Sequence, residues 1–366
     1  MKRGPSFFAM VIVSLFLSQL TGCSTAPRML EYEVDPATAT IWPPEPEQPR
    51  YRYVGTLIGQ PNVHREEDAT GWFEGFFRWL VGLDSNKLRD TLILQRPNSG
   101  MVDNLGRILV TDISRRSVIV FDPITNIGVV EWRLAEAESS FKTPVGIIQG
   151  SDGSYYVADA DLQLVIHLDK DGNPLRSFGR DILQRPTGIA WDSARKHIYV
   201  ADTKAHNIKI FTEAGVLLDV MGTWGTGPGQ FNAPTHIFFT QDKLYVTDTF
   251  NTRVQILNRS GDVLGKFGRR GLNIGDLVRP KGVTVDSDGN IYVVESFHDY
   301  LLVYNAAGQF LIPVGGTGLG EGQFYLPSGV WTDKNDRIYI ADMFNGRVVI
   351  LQYLGDEGSI GKAATH

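Results

Sequence analysis

Residues 338–342 read IYIAD, and five near-copies of this short stretch precede it along the chain. Each copy is an apolar, strand-like run that ends on an acidic residue. The copies read ILVTD, YYVAD, IYVAD, LYVTD and IYVVE, and the six acids are Asp112, Asp159, Asp202, Asp248, Glu295 and Asp342. Successive acids are separated by 47, 43, 46, 47 and 47 residues. Such a regular period indicates one repetitive domain rather than several unrelated ones.

Each of the first five repeats contains four short strand-like runs separated by polar or Gly-containing turns. A single small sheet cannot bury both of its faces until similar sheets stack on either side of it. A period of about 40 to 50 residues with four strands is therefore typical of a propeller blade. Six repeats predict an all-β fold, a six-bladed β-propeller.

The last repeat lacks its fourth strand, because the chain after residue 354 runs into the polar sequence GDEG. The missing strand is expected at the other end of the domain, where residues 51–59 read YRYVGTLIG and resemble the fourth strands at 263–268 and 310–315. An open ring would expose unpaired strand edges. We therefore predict that this N-terminal segment closes the last blade, giving a propeller over residues 50–358.

The repeats resemble the NHL repeat family. The resemblance is carried by the Pro-x-Gly openings at 144–146, 186–188, 280–282 and 327–329, by VAD, VTD and IAD in the second strand, and by Asn-x-Arg-Val at 251–254 and 345–348. It covers roughly residues 95–354. It implies a propeller with loops on two faces and a central channel.

The first residues have the pattern of an export signal. Lys2 and Arg3 precede the uncharged apolar run at 7–17, which is too short to span a bilayer as a helix. The sequence LTGC at 20–23 resembles the bacterial lipobox, and Cys23 is the only Cys in the chain. We predict a lipoprotein signal peptide at 1–22 and lipidation of Cys23. Ser24 favours the outer membrane, facing the periplasm.

Two flanking segments are predicted to lie outside the propeller. Residues 23–49 contain the lipidated Cys and six prolines, which is typical of an extended spacer. Residues 359–366 form a C-terminal tail. Lys and Arg number 35 against 41 Asp and Glu, a net charge of −6, and removal of Lys2 and Arg3 with the signal makes it −8. This acidic balance argues against a nucleic-acid partner.

An insertion at residues 64–90 separates the closing strand from the first repeat. Its apolar residues recur at spacings of three and four, which predicts an amphipathic helix. They are Trp72, Phe73, Phe76, Phe77, Leu80 and Leu83. Such a face is suited to contact with lipid, to binding of a partner, or to packing against one end of the propeller.

Chemistry in a repeat protein is best sought where the repeat is broken. The six acids recur in every blade, so we interpret them as structural groups that hold backbone N–H groups at the turn after the second strand. His236 stands where the other repeats have Gly, near the predicted channel, and Glu295 with His298 forms a second departure. These three residues are the candidate ligand-binding residues.

The candidate residues do not form a recognisable catalytic or metal site. An amidating lyase with NHL-like blades holds zinc with His residues from several blades, whereas this chain has one His at the matching strand position. No catalytic residue, metal or cofactor is predicted. The sequence favours a non-catalytic scaffold in the cell envelope that binds a protein, peptide or glycan; the alternative is a periplasmic hydrolase or lyase that uses the channel.

Overall fold

A computed structural model describes residues 28–65, 91–125 and 128–355. Within these residues the fold is all-β, with two short 3-10 helices at Gln60–Asn62 and Thr249–Asn251. Six antiparallel sheets follow one another along the chain. The predicted six-bladed β-propeller is therefore confirmed.

The blades are numbered 1 to 6 in chain order, and each begins with the strand nearest the channel, called here the inner strand. Blade 1 comprises Pro97–Val102, Ile108–Asp112, Ser117–Asp122 and Gly128–Trp132. Blade 2 comprises Pro144–Gln149, Tyr155–Asp159, Leu164–Leu168 and Pro174–Phe178. Blade 3 comprises Pro186–Asp192, His197–Asp202, Asn207–Thr212 and Leu217–Met221.

The second half of the ring repeats this plan. Blade 4 comprises Pro234–Thr240, Lys243–Asp248, Arg253–Asn258 and Val263–Phe267. Blade 5 comprises Pro280–Val285, Ile291–Glu295, Tyr300–Tyr304 and Phe310–Gly315. Blade 6 comprises Val330–Thr332, Arg337–Asp342, Arg347–Tyr353, Tyr51–Leu57 and Ile41–Trp42. Short pairs of strands lie between blades, at Leu134–Glu136 with Ser139–Ser140 and at Thr223–Trp224 with Gln230–Phe231.

The middle strands of the blades form the core. All five residues of Ile291–Glu295 are buried, as are all five of Ile108–Asp112. Neighbouring blades cover both faces of these strands, so their sequences are almost continuously apolar instead of alternating. The acid at the end of each is the exception, and its partners are given below.

The ring closes as the sequence predicts. Tyr51–Leu57 pairs antiparallel with Arg347–Tyr353, with Tyr51 opposite Tyr353 and Leu57 opposite Val348. The inner strand of blade 6 also contacts the inner strand of blade 1. The N-terminal strand thus supplies the fourth strand of the last blade, and closure of that blade is confirmed.

The prediction of an extended spacer up to residue 49 is wrong for residues 28–49. Ile41–Trp42 adds a fifth strand to blade 6, and Arg28–Leu30 pairs with Val63–Arg65. The hydroxyl of Tyr32 accepts a hydrogen bond of 2.9 Å from Arg337. Short apolar groups between the prolines therefore pack on the propeller, and the prolines limit the length of the pairing without preventing it.

Other predicted segments fall outside the described residues. These are the signal peptide at 1–22 with Cys23, the tail at 359–366, and all but the first two residues of the predicted helical insertion at 64–90; those two belong to the strand Val63–Arg65. Along the described stretches, the structure contains no helix with the length and hydropathy needed to cross a membrane.

The two ends of the ring differ in the loops that form them. The linker face consists of the segments that enter the inner strands and of the turns between second and third strands. The hairpin face consists of the turns between first and second strands and between third and fourth strands. Every inner strand runs from the linker face to the hairpin face.

Candidate functional site

A cavity of about 490 Å³ occupies the centre of the ring. Inner strands of all six blades line it, and Asn104, Ser151 and Ser193, from three first-to-second turns, stand at its rim. The cavity therefore opens toward the hairpin face. Its walls carry Met101, Gln149, Trp191, Phe239 and Trp331. Among the described residues that line it there is no Asp, Glu, Lys or Arg.

His236 lies in this cavity wall, on the inner strand of blade 4. Blade-to-blade contact is close at this level, since a Cβ added to Gly188 would lie 2.8 Å from the Cα of His236. The His236 side chain is 8% exposed, and burial with the nearby positive charge of Lys281 lowers its pKa to about 3. The imidazole is therefore neutral at physiological pH. Its Nδ1 lies 3.2 Å from Thr235 Oγ1, and its Nε2 has no hydrogen-bond partner among the described residues.

The repeated acids hold the linker face together. Asp112 accepts hydrogen bonds from the backbone N–H groups of Gln95 at 2.6 Å and Arg115 at 2.9 Å. The first donor enters the inner strand and the second belongs to the turn after the second strand. The sequence interpretation considered only that turn, whereas the structure shows that each acid also accepts a backbone N–H of the incoming linker. The corresponding donors at the other five acids are Lys142, Gln184, Asn232, Arg279 and Tyr325.

Three of these carboxylates also form buried ion pairs with the third strand. Lys209 Nζ lies 2.7 Å from Asp202, Arg253 Nε lies 2.8 Å from Asp248, and Arg347 Nε lies 2.8 Å from Asp342. All three acids are fully buried. Burial is also the main cause that raises the pKa of Asp342. These contacts satisfy the carboxylates within the fold, as a structural group requires.

Glu295 and His298 lie together, away from His236. His298 Nδ1 is 2.9 Å from a Glu295 carboxylate oxygen, which also accepts the His298 backbone N–H at 2.8 Å. The other oxygen accepts the Arg279 backbone N–H at 2.5 Å. Neither residue lines the cavity that contains His236. The three candidate residues therefore belong to two separate groups, and the Glu295 carboxylate is occupied by its own turn.

The sequence analysis missed an aromatic feature on the linker face. The second residue after the repeated acid is Phe250 in blade 4, Phe297 in blade 5 and Phe344 in blade 6. These three side chains are 70%, 52% and 46% exposed. Blades 1 to 3 carry Ser114, Asp161 and Lys204 at this position. We call the three residues the Phe arc; alignment of the repeats at this position would have revealed it.

Cationic groups accompany the Phe arc. The guanidinium of Arg96 lies 5.1 Å from the centre of the Phe344 ring. Arg279, which directly precedes the inner strand of blade 5, is exposed. Burial lowers the pKa of its neighbour Lys281, and the charges of Arg279 and Arg185 lower it further. Within the described ranges, no carboxylate forms an ion pair with Arg96, Arg279 or Lys281. This end of the channel therefore offers cationic groups that carboxylates of the protein leave unpaired, although the whole chain is acidic.

A metal centre is not evident in the described part of the chain, where no three His, Cys, Asp or Glu side chains are grouped to hold an ion. The single buried His of the channel has no second ligand of these types in the cavity wall. What the two ends of the channel offer is binding chemistry: an uncharged cavity with aromatic walls, and a cationic face with exposed Phe rings.

Known proteins resemble this chain in fold, with low sequence identity. Rat peptidylglycine alpha-amidating monooxygenase is 28% identical over 161 residues, 39% of this chain and only 16% of that protein. The structure of virginiamycin B lyase from Staphylococcus aureus superposes with a TM-score of 0.53 and 15% identity, covering 70% of this chain and 95% of the lyase. An auxiliary nutrient binding protein from Bacteroides ovatus gives 0.55 and 13%, covering 70% of this chain and 69% of that protein.

Family profiles match the repeats directly. A family described as a 6-bladed beta-propeller matches residues 232–311 and 277–359, and the NHL repeat matches residues 183–211. These segments lie in blades 3 to 6, and the sheet order shows the same unit in blades 1 and 2. The chain is a six-bladed β-propeller built of NHL-type repeats.

Proposed function

We propose that this propeller is a non-catalytic scaffold that binds an acidic protein or peptide segment on its linker face. The observation that carries the proposal is the Phe arc, three exposed Phe rings at one repeat position of three consecutive blades. A solvent-exposed ring at one such turn is unremarkable on a protein surface. Three of them in neighbouring blades make a surface of the kind that marks interaction sites.

Charge defines the partner that suits this surface. Arg96 lies over Phe344, and Arg279 and Lys281 lie at the linker-face end of the inner strand of blade 5. A partner that places carboxylates against these cations and apolar side chains against the Phe rings matches both features. The favoured ligand is therefore a segment rich in Asp or Glu that also carries aromatic or aliphatic residues.

The scaffold interpretation is supported by the repeated acids on this face, whose carboxylates already accept hydrogen bonds within the fold. Catalytic acids and bases need a free atom directed at a substrate. Instead, the Glu295 carboxylate receives the backbone N–H groups of Arg279 and His298. The other five acids accept comparable bonds from their own linkers.

The binding proposal can be tested with two fluorescent nonapeptides, one alternating Asp with Phe and the other alternating Lys with Phe. We expect the Asp peptide to bind saturably, and its affinity to fall at least about tenfold in Phe297→Ser, because truncating a central aromatic contact costs more than about 1.4 kcal/mol. Raising the salt concentration should weaken binding further. Leu264→Ser is the matched control, because Leu264 is 56% exposed on the outer strand of blade 4.

Two results would contradict this proposal. One is an equal affinity of the Phe297→Ser and Leu264→Ser variants for the Asp peptide. The other is a preference for the Lys peptide. A single-stranded oligothymidine serves as a further competitor, because stacked bases and phosphates also suit Phe and Arg side chains; displacement of the Asp peptide by it at similar concentration would replace the peptide ligand with nucleic acid.

The proposal includes attachment to the cell envelope through a lipid on Cys23, on the periplasmic side of the outer membrane. The support is the LTGC sequence at 20–23, with a single Cys in the chain. Cys23→Ser should abolish incorporation of labelled palmitate and release the protein into the soluble fraction. Retention of that variant in membranes would assign the tether to another segment, and the apolar stretch at 72–83 would then be tested by deletion.

A further inference from the structure

The most exposed apolar side chains of the described residues lie on one face of the ring. The four large apolar side chains with the greatest exposure are Leu272 at 79%, Leu319 at 74%, Phe250 at 70% and Trp224 at 69%. All four belong to the linker face. Phe250 is part of the Phe arc, whereas the others lie on segments that join the outer strand of one blade to the inner strand of the next. We infer that these segments insert apolar side chains into the surface of an anionic lipid bilayer.

The inserting side chains come from three consecutive linkers, and we call them the linker tips. Trp224 follows the outer strand of blade 3, Leu272 and Ile274 follow that of blade 4, and Leu319 follows that of blade 5. Each tip has a Gly as a direct neighbour in the chain, so no adjacent side chain covers it on that side. In the described parts of the other three linkers, the exposed apolar side chains are all less exposed than the tips; they are Ile58, Ile93, Leu134 and Ile182.

The main chain that carries the tips is fixed by the following blade. Asn251 Nδ2 in blade 4 donates to the carbonyl of Gly225 at 2.8 Å, directly after Trp224. Arg347 Nη1 in blade 6 donates to the carbonyl of Leu319 at 2.8 Å. The backbone of these linkers is therefore ordered while the tip side chains remain in solvent. A rigid backbone lowers the entropy lost when the side chains enter a second phase.

The distribution of the tips favours a lipid surface over a folded partner. They are contributed one or two at a time by separate linkers, with polar and Gly residues between them. A protein interface needs closely packed, complementary surfaces, whereas a hydrocarbon layer accepts separate apolar groups of any shape. Trp and Leu side chains are also typical of segments that enter the boundary between headgroups and acyl chains.

The charges beside the tips define the kind of bilayer. The linker between blades 4 and 5 contains Arg269, Arg270 and Arg279 with one acid, Asp276, and the other two tip linkers contain one acid, Glu321. Arg269 Nε pairs with Asp276 at 2.7 Å. Along the described chain, no carboxylate forms an ion pair with Arg270 or Arg279. Because each basic side chain near a membrane surface strengthens binding to anionic lipid by about fivefold, the bilayer that suits these linkers is anionic.

The test is co-sedimentation of the mature chain with vesicles, using Cys23→Ser throughout so that no lipid anchor contributes. One set of vesicles contains phosphatidylcholine with phosphatidylglycerol, and the other contains phosphatidylcholine alone. We expect saturable binding to the anionic vesicles that weakens as salt is added. Leu272→Ser and Leu319→Ser should each weaken it by about tenfold or more, because each removes one Leu side chain from the bilayer. Leu105→Ser is the matched control, because Leu105 is 60% exposed on the hairpin face.

Two further variants test the charge and the depth of contact. Arg270→Glu should weaken binding to the anionic vesicles by at least about tenfold. With brominated acyl chains in the vesicles, tryptophan fluorescence should be quenched in the parent and much less so in Trp224→Phe. Unchanged quenching in Trp224→Phe would assign the contact to the insertion at 64–90, which contains Trp72 and Trp79, and would overturn the inference. Absence of vesicle binding, or equal binding by the Leu272→Ser and Leu105→Ser variants, would also overturn it.

The lipid contact can be separated from the proposed peptide binding. The tips follow the outer strands, whereas Arg279 and Lys281 lie at the inner strand of blade 5. Leu272→Ser and Leu319→Ser should therefore keep the affinity for the Asp peptide; a tenfold loss in both would assign the tips to the peptide-binding surface and overturn the lipid inference. Absence of Asp-peptide binding in every variant contradicts the peptide proposal alone, because vesicle binding is measured without the peptide.

Discussion

Ring closure by the N-terminal strand can be tested at a single residue, Leu57. Its side chain is fully buried in a cluster that includes Val348 of blade 6 and Ile108 of blade 1, so it joins the last blade to the first. Leu→Ala substitution at such a site removes burial and leaves a cavity, at a cost of about 2 to 5 kcal/mol. We expect Leu57→Ala to lose about 3 kcal/mol, a large part of the roughly 5 to 15 kcal/mol typical of a domain.

The measurement is urea unfolding followed by tryptophan fluorescence and circular dichroism. Ile58→Ala is the control, because Ile58 is the next residue, has similar size and is 41% exposed. Its loss should stay within about 0.5 kcal/mol. If Leu57→Ala unfolds at the same urea concentration as Ile58→Ala, this strand does not hold blades 6 and 1 together and the closure argument fails.

Three further predictions concern the N-terminal segment 28–49, called here the brace, the channel and the repeated acids. Deletion of residues 24–49 should lower the melting temperature, because it removes the Ile41–Trp42 strand and the Tyr32–Arg337 hydrogen bond. Deletion of residues 24–27 removes neither and serves as the control. Equal melting temperatures of the two variants would restore the spacer interpretation. The pKa of His236 is lowered from 6.5 to about 3, so the unfolded chain binds more protons between these pH values and the free energy of unfolding falls as the pH drops through them. In urea titrations at about pH 7, 5.5 and 4, the free energy of unfolding of His236→Gly should fall less steeply with pH, by up to about 1.4 kcal/mol per pH unit. Equal pH dependence of the two proteins would contradict a neutral buried imidazole. Asp202→Ala leaves Lys209 buried without its ion-pair partner and should lower the free energy of unfolding by about 3 to 5 kcal/mol. Asp161→Ala, which breaks an exposed pair with Arg185, should lower it by only about 0 to 1 kcal/mol. Similar losses for both variants in chemical unfolding would show that burial does not strengthen the first pair.

The fold was predictable because its determinants repeat. Each second strand combines a continuous apolar run with a terminal acid at a spacing of 43 to 47 residues, and six copies leave few alternatives. Closure of the ring was predictable because the last repeat lacks a fourth strand and residues 51–59, before the first repeat, form an additional one. The brace at residues 28–49 was not predictable in this way, because Ile41–Trp42 is two residues long and has no periodicity to recognise.

The candidate site was predictable only where one residue breaks the repeat. His236 is visible in the sequence because blades 2, 3, 5 and 6 carry Gly at that position. The alignment to Gly100 in blade 1 is wrong, because the strand register places Ser99 there. Trp331 carries no such signal, since inner-strand residues vary among blades and its place in the cavity wall is a property of packing. The Phe arc lay within reach of the sequence, but its meaning depends on exposure, which a repeat alignment does not contain.

The two candidate sites lie at opposite ends of one channel, and the inner-strand glycines lie between them. Inner strands approach closely at this level, because a Cβ on Gly282 would lie 2.4 Å from the backbone nitrogen of Val330. Lys281 directly precedes Gly282 and belongs to the cationic end of the channel. His236 occupies the position in blade 4 that Gly282 occupies in blade 5, and it lines the uncharged end. Lys281 is nevertheless close enough to lower the pKa of His236. A carboxylate that binds Lys281 would offset its charge and raise the pKa of His236. The Asp side chains of the peptide are ionised near pH 6, well above the pKa of His236. NMR chemical shifts of the His236 ring at that pH, with and without the Asp peptide, therefore report whether the two ends are coupled: a change means that they are, and unchanged shifts mean that the inner-strand glycines separate them.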